Sequence, residues 1–595
     1  MAFSLPFNPW RTKAVVDDVA VWEHCLMRSL RWSRTGWSLA LFGVASVAPL
    51  LFVPLGCVPP SGPSLRVHSL EIPLTGPCPT TSGASPEFAS EVTALQATIA
   101  GPGIDTPIVA AVTAGIGVEV PAGLDRVIAL FGLVADLPAW RAVSRPIEVK
   151  AGAETSVDLL LAKIADVSCA RTTSLEKRFF HTATVLNDGT VLIAGGAHEL
   201  VDAGATCPNC QEASSSTSAV VYSPQTGTFT AVGPLTTPRM FHTATRLPDG
   251  RVVIVGGTRT ALFHPVDAAV DPFPIDPTAP LSTVEVYDPQ QKSFSPAGQD
   301  PNGPRIFAAA TTLLTGEVLI TGGIPARGTP RNDLDNAVAT TTVCGGSPIS
   351  CQPGPPMARP RAGHTAFPID PEGVFLWGGS TDITNDGFQL EFLSPGAPQF
   401  GLLDTCGTSA ARNLFFAATA QYSAVRVMAA GGLTRSTDGE FSALLDGDSE
   451  GSAVFVFDLG ADADNCGPSG TTSGFPNGAK MNLSGLRFMA SAAPLLGDTR
   501  AIITGGFEVP ANFADFNFTP VNNIDFYSEE TLSVQPISVG GVVRNLREAR
   551  AGLSATPVGD GTILLVGGVG TDEVLETAEV FADPETPSQA AGLSP

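Results

Sequence analysis

The chain is poor in charge, and the charge it has is mostly of one sign. Only 15 % of its 595 residues are charged, and 33 basic against 57 acidic residues leave a net charge of −24. A phosphate backbone needs a basic face, so this balance argues against nucleic acid as a partner. It suits a soluble, self-repelling exported protein. Tyrosine and histidine are scarce, at 4 and 7 residues, so a site needing several of either has little to draw on. An H-E-x-x-H zinc motif is absent. Glycine and proline, by contrast, number 62 and 51 beside a hydrophobic content of 44 %. That mixture suits short strands joined by turns and not long helices. The chain is also too long for one core, so two or more domains are expected.

Residues 1–57 read as a targeting segment. Arg28, Arg31 and Arg34 form a positive flank, and Trp37 to Leu55 is an uncharged, mostly apolar run. The run ends at Leu55-Gly56-Cys57, followed by Val58-Pro59-Pro60. A small residue before cysteine resembles a bacterial lipoprotein cleavage site, which implies lipidation at Cys57 and an envelope location, outer membrane or cell surface. Pro54 departs from that pattern, and an uncleaved signal anchor is the alternative, since the run is long enough to span a bilayer. Asp17, Asp18 and Glu23 sit oddly in a signal flank, whereas a start at Met27 gives a short basic one.

Beyond Cys25 and Cys57, eight cysteines are left, an even number that suggests disulfides in an exported chain. The close pairs predict Cys207–Cys210 and Cys344–Cys351, and elimination leaves Cys78–Cys169 and Cys406–Cys466. Cys207-Pro-Asn-Cys210 also admits a half zinc site or a redox pair, although a second C-x-x-C is missing.

One pattern recurs seven times. The first copy runs from Arg178-Phe-Phe-His181-Thr-Ala-Thr through Asn187-Asp188-Gly189 to Val-Leu-Ile-Ala-Gly195-Gly196. The second runs from Arg239-Met-Phe-His242 through Asp249-Gly250 to Gly256-Gly257. The rest start at Arg305, Arg361, Arg412, Arg487 and Arg550 and end at Gly322-Gly323, Gly378-Gly379, Gly431-Gly432, Gly505-Gly506 and Gly567-Gly568. The copy at Arg412 is read with two extra residues and that at Arg487 with one. Each copy predicts a hairpin, and in three of them Asp188-Gly189, Asp249-Gly250 and Asp560-Gly561 supply the positive φ of a tight turn. A third strand follows most copies, as in Val284-Glu-Val-Tyr287 and Asn523-Ile-Asp-Phe-Tyr527, and a fourth in places, as in Gly227-Thr-Phe229.

Four strands per unit is the pattern of a propeller blade. The repeat resembles the kelch family and its galactose-oxidase-like central domain over roughly residues 165–585. The resemblance implies an all-β, seven-bladed kelch-type β-propeller at 164–585, followed by a polar tail at 586–595. The last copy lacks a fourth strand, so Ile164-Ala-Asp-Val-Ser-Cys169-Ala is predicted to dock there. Residues 58–64 read as a linker. Short strands at 65–163, such as Val92–Ile99 and Arg126–Phe131, predict a small β-sandwich, similar to Ig-like or prealbumin-like modules.

The repeated His181, His242 and His364 are read as structural before they are read as metal ligands, because they share one repeat position. The repeated arginines suit ties between blades, with anion or glycan binding as the functional alternative. Relatives of galactose oxidase hold copper with tyrosine and histidine, and Tyr222, Tyr287, Tyr422 and Tyr527 all fall within the repeat, so copper chemistry is not expected. The acidic loops at Asp446–Glu450 and Asp382–Gly387 lack the glutamate of an EF-hand and read as solvated. No cofactor or metal is expected. The predicted function is a non-enzymatic extracytoplasmic binding scaffold, its loop face recognising protein or carbohydrate. A carbohydrate-active or other enzyme built on the loops is the alternative, and a structural envelope role is a third.

Overall fold

The computed structural model describes residues 64–70, 91–112, 118–170, 174–204, 207, 209–265, 273–325, 336–369, 371, 373–379, 390–402, 414–423, 426–435, 441–442, 453–458, 481–495, 499–510, 517–531, 533–558 and 561–583. The chain divides into two units at Pro59/Pro60, and all described residues belong to the second. Residues 1–57, read from the sequence as a targeting segment with Cys57 as its lipidation site, lie outside them.

Each repeat builds a four-stranded antiparallel sheet. In the first, Thr182–Val185, Val191–Ala194, Ala219–Ser223 and Thr228–Ala231 follow one another in that spatial order. The second strand is fully buried along its length, which explains its unbroken Val-Leu-Ile-Ala sequence. The same order recurs in the sheets that begin at Thr243, Ala309, Thr365, Ala418 and Ser491. The seventh sheet has only three strands of its own, ending at Ala578–Ala582. Val167–Cys169 completes it, pairing antiparallel with Glu579–Phe581, as the missing strand predicted.

Successive repeats are joined by isolated backbone bonds, one set of which recurs at all seven junctions. The N–H of the second glycine donates to the carbonyl at the arginine position of the next repeat. Gly196 reaches Arg239 at 2.9 Å, Gly257 reaches Arg305, Gly323 reaches Arg361 and Gly379 reaches Leu414. Gly432 reaches Arg487, Gly506 reaches Arg550, and Gly568 reaches Arg178 at 2.8 Å. The close approach excludes side chains. At Gly256, with φ +69°, an added Cβ would lie 2.4 Å from the Arg305 carbonyl oxygen.

The expected fold class needs correction here. Among the described residues no hydrogen-bonded ladder runs from one four-stranded sheet into the next, and no sheet is closed or curled into a propeller. The kelch-type, galactose-oxidase-like reading is replaced by an all-β chain of many separate four-stranded antiparallel sheets. The repeat specifies strand order within a sheet, a local property. It carries no equally direct signal for how sheets join.

The β-sandwich is corrected as well. Residues 94–163 contribute a sheet in the order Ile108–Val112, Ala94–Ala100, Gly123–Val134, Leu137–Val143, Ala162–Lys163, with Ile147–Val149 also on the long strand. A three-stranded sheet holds Ser64–Leu70 between Val118–Glu119 and Glu154–Leu160. Ser64–Leu70 runs parallel to Glu154–Leu160, in register from Ser64/Glu154 to Leu70/Leu160. An antiparallel sandwich built from successive hairpins has no such pair. Ile99, Ile128, Leu130, Trp140, Val157 and Leu159 gather in one core here.

A further four-stranded sheet has no counterpart in the repeat. It is made of Ala197–Asp202, Gln211–Ser215, Thr260–Phe263 and Ile275–Pro277. The first two strands come from the loop after Gly196 and the last two from the loop after Gly257. Its Phe263 and Phe273 pack into the same core as Phe179, Phe307, Phe415 and Phe488.

Candidate functional site

The repeated side chains hold the sheets together. Arg239 is fully buried, and its guanidinium donates to the Gly256 and Thr283 carbonyls and to Glu285 Oε1 at 2.6 Å. Arg361 is set in the same way on Gly378 and Glu391, and Arg550 on Gly567 and Glu579. Arg487 pairs with Asp525, and Arg305 pairs with Asp300 at 2.7 Å. Burial lowers the pKa values of Arg239, Arg305, Arg361 and Arg487, and the paired carboxylates oppose that shift.

Glu285, Glu391, Asp525 and Glu579 share one position on the third strand, opposite the residue two before the first glycine. Glu285, Asp525 and Glu579 were within third strands read from the sequence and Glu391 was not, and none of the four was recognised as a partner. The signal was an acidic residue in an otherwise apolar strand. In two of these four sheets the carboxylate also accepts two backbone N–H groups from the loop before the arginine, as Glu285 does from Thr236 and Thr237 and Glu391 from Ala358 and Arg359, while Asp525 and Glu579 each accept one, from Ser484 and Arg547.

The first and fifth repeats depart from this pairing. Val220 holds the acidic position beside Arg178, which turns to Ser218 Oγ at 3.1 Å. Burial then pushes the Arg178 guanidinium down to about 10, partly offset by Glu176. In the fifth repeat Leu414, 17 residues before Gly431, occupies the arginine position, and Phe455 holds the register position of the acidic one. Arg412, expected there, lies outside the described residues.

The repeated histidines face neighbouring sheets. His242 Nε2 lies 2.9 Å from Thr182 Oγ1, His364 Nε2 lies 2.7 Å from Thr321 Oγ1, and His181 Nε2 lies 2.9 Å from Ser554 Oγ. Burial and the nearby arginines press His242 and His364 down to about 3, and His181 well below its usual value. They are neutral linkers between strands. The tyrosines also pack: Tyr222 on Phe229, Tyr287 on Phe294 and Tyr422 on Tyr527.

Cys207–Cys210 and Cys344–Cys351 are disulfides, the second joining directly opposed residues of two strands. Cys169 is disulfide-bonded. Its expected partner Cys78 lies outside the described residues, as do Cys406 and Cys466. Both acidic loops lie outside them too. One contains Gly447-Asp-Ser449-Glu-Gly451, a G-x-S-x-G spelling that sequence reasoning overlooked. Such a motif acts only on a sharp strand-to-helix turn.

One concavity among the described residues is built mostly by residues that do not repeat. A cavity of about 930 Å³ lies between the additional sheet, the loop around Phe518 and the turn Gly570–Glu573. Its aromatic wall is Phe518, set edge-on to Phe263 and to Phe507, each 5.3 Å away between ring centres. The opposite character comes from Glu199, Gln211, Asn517, Asp572 and the ion pair Lys177–Glu573. Buried His264 borders it, with Nδ1 3.0 Å from the Pro265 carbonyl and Nε2 3.8 Å from Asp276 Oδ2. Asn209, at φ +65° inside the Cys207–Cys210 clip, contributes to the rim. Among the described residues no three His, Cys, Asp or Glu side chains are grouped to hold a metal ion.

No protein-family model matches the chain, and no curated protein matches it.

Proposed function

We propose that this chain is a non-enzymatic binding scaffold acting outside the cytoplasm, with its non-repeating loops as the face that takes a protein or carbohydrate ligand. The observation that carries this reading is the cavity of about 930 Å³, whose size falls in the range of small-ligand and saccharide sites. Its lining mixes aromatic faces with polar groups, the composition that orients a ligand while removing it from water. The repeated arginines are engaged within their own sheets and the repeated histidines between sheets, which leaves recognition to the loops. Attachment through a lipid at Cys57 or a signal anchor supplies the location. Among the described residues no helix is long and apolar enough to cross a membrane.

The test uses the full chain and an Asn517→Arg/Thr519→Arg variant that fills the cavity. Both are applied to envelope fractions and to a glycan array. The expected result is a ligand retained by the natural chain and lost by the variant. Identical retention by both moves recognition elsewhere. Chemical conversion of the retained ligand replaces the scaffold with an enzyme. Labelling with a fatty-acid analogue, lost in Cys57→Ala, tests the anchor.

A further inference from the structure

The cavity has a charge preference that the scaffold reading alone does not specify. Three carboxylates border it, Glu199, Asp572 and Glu573, against one ammonium, Lys177, which is already paired with Glu573. Asp572 stands at the exposed tip of a turn closed by the Gly570 N–H donating to the Glu573 carbonyl at 2.8 Å. It has no cation partner among the described residues. Glu199 is exposed, with His198 3.9 Å away as its neighbour. Half-buried Phe518 lines the same cavity, backed by the buried rings of Phe263 and Phe507, and an aromatic ring face attracts cations. The whole chain, at −24, adds a long-range field of the same sign.

Resting on the binding reading above, we infer that this cavity selects a ligand bearing a protonated amine or guanidinium group. The carboxylates at the turn and on the additional sheet take the charge, while the phenylalanine wall takes the body that carries it. Anionic ligands are repelled, and a neutral ligand of the same shape gains nothing from the carboxylates. Two sources carry this chemistry: an amino sugar with a free amine, and a lysine or arginine side chain on a protein loop.

Calorimetric titration of the full chain separates these. The probes are a glucosamine oligosaccharide, its fully N-acetylated counterpart of equal length, and lysine- and arginine-containing peptides beside their citrulline or acetyl-lysine versions. The expected result is that one cationic series binds at least tenfold more tightly than its neutral counterpart. That affinity weakens as salt is raised and drops about tenfold in Asp572→Asn, whose exposed turn leaves the circular dichroism unchanged. The series that binds identifies the source. Equal binding of charged and neutral probes overturns the inference. So does silence from every cationic probe while the natural chain still captures a ligand that the filled-cavity variant loses, an outcome that leaves the scaffold reading standing. Loss of both signals removes both.

Discussion

Arg239 and Glu285 meet at 2.6 Å with both side chains withdrawn from solvent. Removing one member of a buried pair strands the other, at a cost of about 3–5 kcal/mol. The fifth repeat shows the alternative, with leucine and phenylalanine at the two positions. Glu285→Ala is therefore expected to lower the denaturation midpoint sharply. The double change Arg239→Leu/Glu285→Phe loses less than Glu285→Ala, because no charge is left without a partner. Denaturant melts of the three proteins decide this, and a double variant weaker than the single refutes it.

The histidines give acid sensitivity. An unfolded histidine binds a proton below about pH 6.5, whereas folded His242 and His364 do so only near 3. Between those values the unfolded chain binds more protons, so stability rises with pH through the window and is lost as pH falls through it. Thermal melts from pH 7 to pH 3 should show this loss. His242→Gln should flatten it relative to the natural chain, since carboxylate titration is common to both. Parallel pH profiles would show that the imidazole is not the cause.

Cys344 and Cys351 face each other across two strands of the third sheet. The loop they close is short, so the chain-entropy gain is about 2–3 kcal/mol. Replacing both by alanine should lower the melting temperature, and a reductant should then shift the variant less than it shifts the natural chain. An unchanged melting temperature for the double variant contradicts this.

Two glycines of positive φ should respond unequally to alanine. Gly103 has open space around it, so only the backbone preference of about 1–2 kcal/mol is lost. At Gly256 the added carbon meets the Arg305 carbonyl and disturbs the bond that Gly257 makes to it. Gly256→Ala should melt clearly below Gly103→Ala, or yield less soluble protein. Equal melting temperatures would show that the contact gives way without cost.

Much of the strand order was legible because it is written locally. Asp188-Gly189 makes the first hairpin, an apolar run makes its buried strand, and the strand missing from the last repeat pointed to Val167–Cys169. The fifth repeat was misread by following its arginine, where chemistry had replaced the residue but kept the spacing, so that Leu414 stands in its place. The additional sheet left almost no trace. Its strands are three to six residues long and come from two separate loops, so no single window shows their pairing. The association of sheets was read wrongly for a related reason, since it depends on contacts between residues far apart in sequence. The candidate cavity shares this origin: Glu199, Phe518 and Asp572 belong to three distant loops and spell no motif.

The pairing of Val167 with Phe581 also orders events in time. The strand that completes the last sheet is made before any of the seven repeats, while its partner emerges only after all seven hairpins. Contacts between such distant residues close slowly, because loop entropy must be overcome before they contribute. A ribosome moving along this message releases an edge strand that has no partner strand in that sheet until the seventh repeat is made. Chains cut short anywhere within the repeats carry that unpaired edge permanently, which marks truncated products as candidates for aggregation and turnover.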